Sequence, residues 1–339
     1  VTPSLSVDQD TRGSTELIET LLEYVIKYAV SYAEPRDGTC WEVISFARDY
    51  LQRVAPGRSG PGRLAPHIDS PWPELQHELL TGLYEGHFSI HYQPICEINS
   101  HTVVGVEALA RWTHPKRGSI SPVVFIPAAE RTGCIHALGR WILLKGCEQM
   151  VAWEREGLFI PYLSVNVSPL QFNREEFLTY LDEALIVSGL TPSRLVLEVT
   201  ESLSLVHDSY AADQTFKELR DRGVRIMIDD FGTGFSSLTY LQNLPFSAIK
   251  MDRQFVSKLP SSRNDLEIIK AIAELARQLG MDIIAEGVET QEQKETLVKL
   301  GCNLIQGWLI SSALPAADLQ REFAEGRLAT KKPRVAIAA

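Results

Sequence analysis

From about residue 79 the chain keeps one rhythm, in which short apolar segments rich in β-branched residues alternate with stretches of helical periodicity. The segments FSIHYQPI, TVVGVEALA, YLSVNVS, RLVLEVTE, RIMIDDF, AIKMD, DIIAEGV and NLIQGW read as eight strands. Helical patterns lie between most of them, at 135–155, 175–187, 209–222, 265–279 and 291–299. Eight strands with interposed helices over roughly 250 residues predict an α/β fold of the closed barrel type. A parallel pair needs a crossover of about a dozen residues or more. The stretch CEINSHT between the first two strands is too short for one, so they should form an antiparallel hairpin. The expected architecture is therefore a modified TIM (β/α)8 barrel with an antiparallel first strand.

Ahead of the barrel, residues 14–33 carry Leu17, Leu21 and Val25 beside Ile18, Leu22 and Ile26, a wide amphipathic stripe behind a Ser/Thr cap. Residues 40–54 present Trp41, Ile44, Leu51 and Val54, and the Pro- and Gly-rich run that follows reads as a linker. The expected division is a small helical N-terminal segment at 1–55 for regulation or dimerisation, a linker at 56–78, the barrel at 79–325 and a tail at 326–339. The first residue is Val rather than Met, which reads as a fragment or processed chain with an upstream regulatory domain.

A formal charge of −10 argues against a polyphosphate groove as the main surface, because affinity for nucleic-acid polymers comes from clustered Lys and Arg. Cys40, Cys96, Cys134, Cys147 and Cys302 have no paired spacing, so neither a disulfide framework nor a zinc knuckle is indicated. No apolar run reaches the roughly 18 residues of a membrane span and no signal peptide is seen, so a cytoplasmic protein is expected.

Catalytic groups of such barrels collect where the strands end. The polar residues interrupting the apolar segments near their ends are Gln93, Glu107, Asn166, Glu198, Asp229 with Asp230, Lys250, Glu286 and Gln306. Singly, each has an ordinary use, as a solvated acid or a turn former. At the same relative place in eight segments they would converge on one pocket. Four carboxylates and an amide oxygen, without a His pair or Cys, favour Mg²⁺ or Mn²⁺ over zinc or copper. Two adjacent carboxylates at about 4 Å repel by roughly 4 kcal/mol at an effective dielectric near 20, and a cation offsets that repulsion. Asp229 and Asp230 can both reach the pocket only if the backbone bends at the strand end, which Gly232 and Gly234 would permit. They could then serve two cations about 3.5 to 4 Å apart, with Lys250 and Glu286 to orient or deprotonate a water. Hydrolysis of a phosphodiester needs all these parts. Asp230-Phe231-Gly232 matches a kinase tripeptide, but no His-Arg-Asp loop precedes it.

YQPI, EALARW at 107–112, HPKRGSISPVVFIPAAE, VNVSPLQF, LEVTES, IDDFGTGFSSLTYL, IKMD, AEGVET and GCNLIQG, in that order, resemble the EAL-domain phosphodiesterases. The resemblance covers roughly residues 79 to 322. It implies hydrolysis of the bacterial messenger cyclic di-GMP to linear pGpG by two Mg²⁺ or Mn²⁺ ions and a metal-held water, with a homodimer as the working unit; Ca²⁺, whose larger and more flexible shell fits a tight two-metal geometry poorly, is expected to inhibit. Position by position it implies Glu107, Asn166, Glu198 and Asp229 as metal ligands, with Asp230 on the second metal. Lys250 would orient the attacking water, Glu286 would stand at the metal-water centre and Gln306 near it. Gln93 and Arg111 would contact the nucleotide, Arg111 at a phosphate. Glu201 would steady the loop 231–238, which couples metal binding to dimerisation in the family, and Glu289 reads as a helix cap. Trp308, Ser312 and Ala313 depart from the family's usual aromatic and basic residues there, which bears on substrate affinity. A second reading stands beside the enzyme, a receptor that binds the dinucleotide without cleaving it and signals through the N-terminal helices. The intact ligand positions favour the enzyme.

Overall fold

A computed structural model describes residues 72–172, 175–201, 210–232, 241 and 244–330. The chain divides into two compact units, residues 1–72 with 123–125 and residues 73–122 with 126–339, and the second contains the barrel. The two N-terminal helices and most of the linker expected above lie outside the described residues.

Eight strands close a ring: β1 (Phe88–Glu97), β2 (Thr102–His114), β4 (Leu163–Val167), β5 (Leu195–Thr200), β6 (Arg225–Phe231), β7 (Phe246–Met251), β8 (Asp282–Ala285) and β9 (Leu304–Ile305). Neighbours pair in parallel from β2 through β9. Strand β1 runs against both its neighbours, β2 and β9, and so closes the barrel with the predicted reversal. Helices Ile135–Arg155, Glu175–Ser188, Tyr210–Arg222, Arg263–Leu279 and Gln291–Leu300 fill the crossovers. Among the described residues no helix is long and apolar enough to cross a membrane.

Three short strands complete the sheet: β3 (Gly118–Ile120), β10 (Leu314–Pro315) and β11 (Ala329–Thr330). The last pairs with the start of β2, so barrel pairing continues past residue 325, where a tail was expected. The helix Trp72–Glu85 likewise runs across the boundary drawn at residue 79. Prolines were read there as linker punctuation, but the missing N–H of Pro73 fits the first turn of a helix. Two-residue strands are too short to show any period.

The barrel core is a layer of inward residues: Ile95, Tyr162, Val196, Met227, Ala248, Ile284 and Leu304, with Val104 packed against it. Gly105 makes room for the largest of them, since a Cβ there would meet the Tyr162 ring at 2.3 Å. This layer fixes what lies above it.

Candidate active site

Side chains on a strand return to the same face every second residue. Two positions beyond Val196, Met227, Ala248, Ile284 and Leu304 stand Glu198, Asp229, Lys250, Glu286 and Gln306. On β2, Glu107 follows Gly105 by the same step. On β1, which runs the other way, Gln93 precedes Ile95 by two. One layer of apolar side chains thus carries one layer of polar ones at the strand ends.

Glu107 is the hub of that layer, and it is buried. Its Oε1 accepts from Asn166 Nδ2 at 2.6 Å, and its Oε2 accepts from Gln306 Nε2 at 2.6 Å and Lys250 Nζ at 3.3 Å. Lys250, only 1% exposed, sets its ammonium among four carboxylates. Its Nζ lies 2.6 Å from Glu198 Oε2, 2.6 Å from Glu286 Oε1, 3.2 Å from Asp229 Oδ1 and 3.3 Å from Glu107 Oε2. One ammonium faces four carboxyl groups.

The two aspartates reach the same centre through a β-bulge. Ile228 pairs with Ile249 and Phe231 with Met251, so β6 spends two residues where β7 spends one. Asp230 takes the left-handed conformation, φ 54°, which is uncommon for a residue with a side chain. The bend expected at the glycines therefore begins one residue into the pair. Gly232 continues it at φ 93°, and Gly234 lies outside the described residues. As a result, oxygens of Asp229, Asp230 and Glu286 all lie within 4.8 Å of one another.

Electrostatics follow from burial and from this crowding. Burial pushes the Glu286 carboxyl up to about 8, the charges of Asp229 and Glu107 adding to it and Lys250 opposing. Asp230 is pushed up to about 7 by burial and by the charges of Asp229 and Asp252. Burial also raises Glu198 and Asp229. Glu107 is held low, because the charge of Lys250 and hydrogen bonds from Gln306, Asn166 and Lys250 outweigh its burial. Burial would lower Lys250, but Asp229, Glu107, Glu198 and Glu286 together hold its ammonium well above the ordinary lysine value.

Without metal, the folded state therefore holds protons on Glu286 and Asp230 that the unfolded chain has lost above pH 4.5. Stability falls with pH wherever the native state binds more protons. In chelator, Tm should decline as pH rises from about 5 to about 8 and level off above. A divalent cation, which favours the ionised carboxylates, should flatten or reverse that slope. A Tm in chelator that rises over the same window would refute this account of the cluster.

Two buried acceptors, Glu198 Oε1 and Gln306 Oε1, have no hydrogen-bond donor among the described residues. Asp229 Oδ1 lies 3.2 Å from Lys250 Nζ, and the Asp229 carboxyl accepts from that ammonium and from the Asp230 backbone. Buried oxygens left without donors beside an excess of carboxylates fit a hard divalent cation.

The remaining expected residues fall as follows. Arg111 stands on the Glu107 face of β2, half-buried, with Nη1 donating to the Ala110 carbonyl at 3.0 Å. Burial lowers its pKa against the charge of Glu107. Gln93 spends its carboxamide inside the protein: Oε1 accepts from Gln306 Nε2 at 3.0 Å, and Nε2 donates to the Ser311 carbonyl at 3.2 Å. Glu201 is buried, and its Oε2 accepts the Gly232 N–H at 3.1 Å, at the root of the loop 231–238. Residues 233–238 of that loop lie outside the described ones. Helix Gln291–Leu300 is capped by Thr290 with Gln293 in a capping box, one position on from Glu289, where the cap was expected. Trp308 is 71% exposed just past Gln306. Asp252, which ends the IKMD segment and caps a short helix through Gln254 N at 2.7 Å, also hydrogen-bonds Asp230. Sequence reading passed over it because a cap accounts for an Asp there.

The family described as EAL domain matches residues 76–313. Among curated proteins, the chain is 39% identical over 309 residues to the uncharacterized protein y4lL of Sinorhizobium fredii, covering 89% of this chain and 36% of that protein. It is 43% identical over 246 residues to the bifunctional diguanylate cyclase/cyclic di-GMP phosphodiesterase MucR of Pseudomonas aeruginosa, covering 73% of this chain and 36% of MucR. The chain thus spans about a third of the length of these relatives. Among solved structures, the PaMucR phosphodiesterase in complex with c-di-GMP matches at a TM-score of 0.69 and 43% identity, covering 73% of this chain and 99% of that one.

Proposed function

This chain belongs to the EAL-domain family, and from that premise we propose that its barrel is a metal-dependent phosphodiesterase that opens cyclic di-GMP to linear pGpG. The observation that carries the reading is the polar layer itself. Carboxylate and amide oxygens from most strands of the ring converge, and two buried acceptors there, on Glu198 and Gln306, lack donors.

Glu107, Asn166, Glu198 and Asp229 would hold one cation, and Asp229, Asp230 and Glu286 a second. Cations held by these residues would supply positive charge to the phosphate oxygens, to an attacking water and to the leaving oxygen. Lys250 Nζ fixes Glu286 Oε1 and Glu198 Oε2 on either side, both at 2.6 Å. Glu286, whose oxygen lies within 4.8 Å of those of Asp229 and Asp230, would orient an attacking water there and take its proton. The half-buried Arg111 guanidinium, on the same face as Glu107, offers its unspent N–H groups to a phosphate oxygen. In-line attack then breaks one bridging P–O bond of the cyclic dinucleotide. One linear product with a terminal phosphate results.

The test is direct. Incubated with cyclic di-GMP and Mg²⁺ or Mn²⁺, the chain should yield pGpG on chromatography. In Ca²⁺ alone it should yield none, and added Ca²⁺ should suppress turnover in Mg²⁺, because calcium takes a larger and looser shell than adjacent carboxylates at this spacing provide. Binding of the dinucleotide without product in either Mg²⁺ or Mn²⁺ would make the chain a receptor instead.

A further inference from the structure

Strand β4 loses one of its neighbours before it reaches the site. Its ladder with β2 ends at the pair of Val165 with Ala108, and Asn166 and Val167 pair with Glu198 and Val199 of β5 alone. Among the described residues the exposed Asn166 side chain makes one hydrogen bond, from Nδ2 to Glu107 Oε1 at 2.6 Å. The place of its amide oxygen therefore depends on how the chain is held just beyond it.

There Ser168 opens the short helix Pro169–Phe172. Its carbonyl accepts from Gln171 N at 2.9 Å and Phe172 N at 3.1 Å, its Oγ accepts from Leu170 N at 3.3 Å, and its N–H donates to Gln171 Oε1 at 3.2 Å. These bonds build the turn without fixing it to the barrel. Two contacts tie it to neighbouring helices. Gln171 lies against Gly139, where a Cβ would meet its Nε2 at 1.8 Å. Ser168 Oγ donates to Glu130 Oε1 at 2.7 Å, a length at which hydroxyl-to-carboxylate bonds are strong. Glu130 stands in the last turn of the helix Pro122–Thr132, which ends on left-handed Gly133, whose N–H donates to the Glu130 carbonyl at 3.3 Å. The acceptor is thus presented from a capped helix end.

We propose that Glu130 is a positioning residue: through Ser168 it holds the end of β4 so that the Asn166 amide oxygen is aimed at the cation. This rests on the reading of Asn166 as a cation ligand. Ser168 follows Asn166 by two residues, about 6.6 Å of extended chain, so the hydroxyl anchor and the ligand move together. Outer partners of metal ligands typically carry about ten- to a hundredfold in metal affinity.

Calorimetric titration with Mn²⁺ tests it without substrate. Glu130→Ala and Ser168→Ala should each weaken binding about tenfold, and Glu130→Gln, which keeps an acceptor for the hydroxyl, by less than about threefold. In an Asn166→Ala background, Glu130→Ala should change the affinity by less than about twofold, because the oxygen it positions is gone. An equal loss in both backgrounds would mean that Glu130 acts on the site by another route, and no loss in either that the anchor is idle; each overturns the proposal. In chelator, hydrogen exchange of the peptide covering 163–172 should quicken in Glu130→Ala and stay near the parent in Glu130→Gln. Exchange unchanged in Glu130→Ala would overturn the proposal as well. A parent chain that binds no Mn²⁺ would overturn the cation site and this proposal with it, whereas Mn²⁺ affinity unmoved by the variants of a metal-binding parent overturns this proposal alone.

Discussion

Replacing Glu107 with alanine should lower pGpG formation by on the order of a thousandfold, equivalent to about 4 kcal/mol of transition-state stabilisation at 1.36 kcal/mol per factor of ten. The size of the effect follows from position. Glu107 accepts from Asn166, Gln306 and Lys250 at once, so its loss leaves three donors without their common acceptor. It also removes an oxygen pair from the proposed cation site. Glu107→Gln separates the two contributions, because it keeps the volume and one acceptor while removing the charge. It should be nearly as inactive as Glu107→Ala but closer to the parent in Tm. Calorimetric titration with Mn²⁺ should show weakened metal binding in both. Parent-like turnover in Glu107→Ala would remove this carboxylate from the reaction.

Lys250→Met should have the largest effect on the fold. It takes the one ammonium from among Glu107, Glu198, Asp229 and Glu286, and the lysine is 1% exposed. Breaking a buried pair from one side costs about 3–5 kcal/mol. In chelator, the denaturant midpoint should drop accordingly, and Mg²⁺ or Mn²⁺ should recover part of the loss by supplying the missing charge. The contrast is Lys258, 63% exposed and 3.9 Å from Asp265, where the same substitution should change stability by less than about 0.5 kcal/mol. A Lys250→Met protein as stable in chelator as the parent would mean that the carboxylates need no counter-charge. Turnover should collapse in any case, because Glu286 and Glu198 lose the group that aligns them.

Much of this was legible in the chain. The eight strands stand out because short apolar runs rich in β-branched residues, at barrel spacing, each carry a polar residue near one end. The reversal of β1 followed from the shortness of the connection between β1 and β2. What was not legible is whatever depends on partners distant in sequence or on one backbone torsion. Nothing in RIMIDDF distinguishes a regular ladder from one with a bulge at Asp230, since the alternation reads the same until the pairing with β7 is known. Gln93 lies 213 residues from Gln306 and 218 from Ser311, so its hydrogen bonds to them could not be read locally. Asp252 was hidden by its second use as a helix cap.

The surplus residue at Asp229 and Asp230 has a consequence for how such a barrel can change over time. A ladder with one residue too many becomes regular by deletion, and relieving a left-handed aspartate would gain stability as well. Selection for robustness alone would thus erase the pair and leave a barrel of the same shape with one acidic group fewer. The irregularity persists against that drift only while the chemistry it serves is under selection. This makes β6 the place where a silent descendant would first differ.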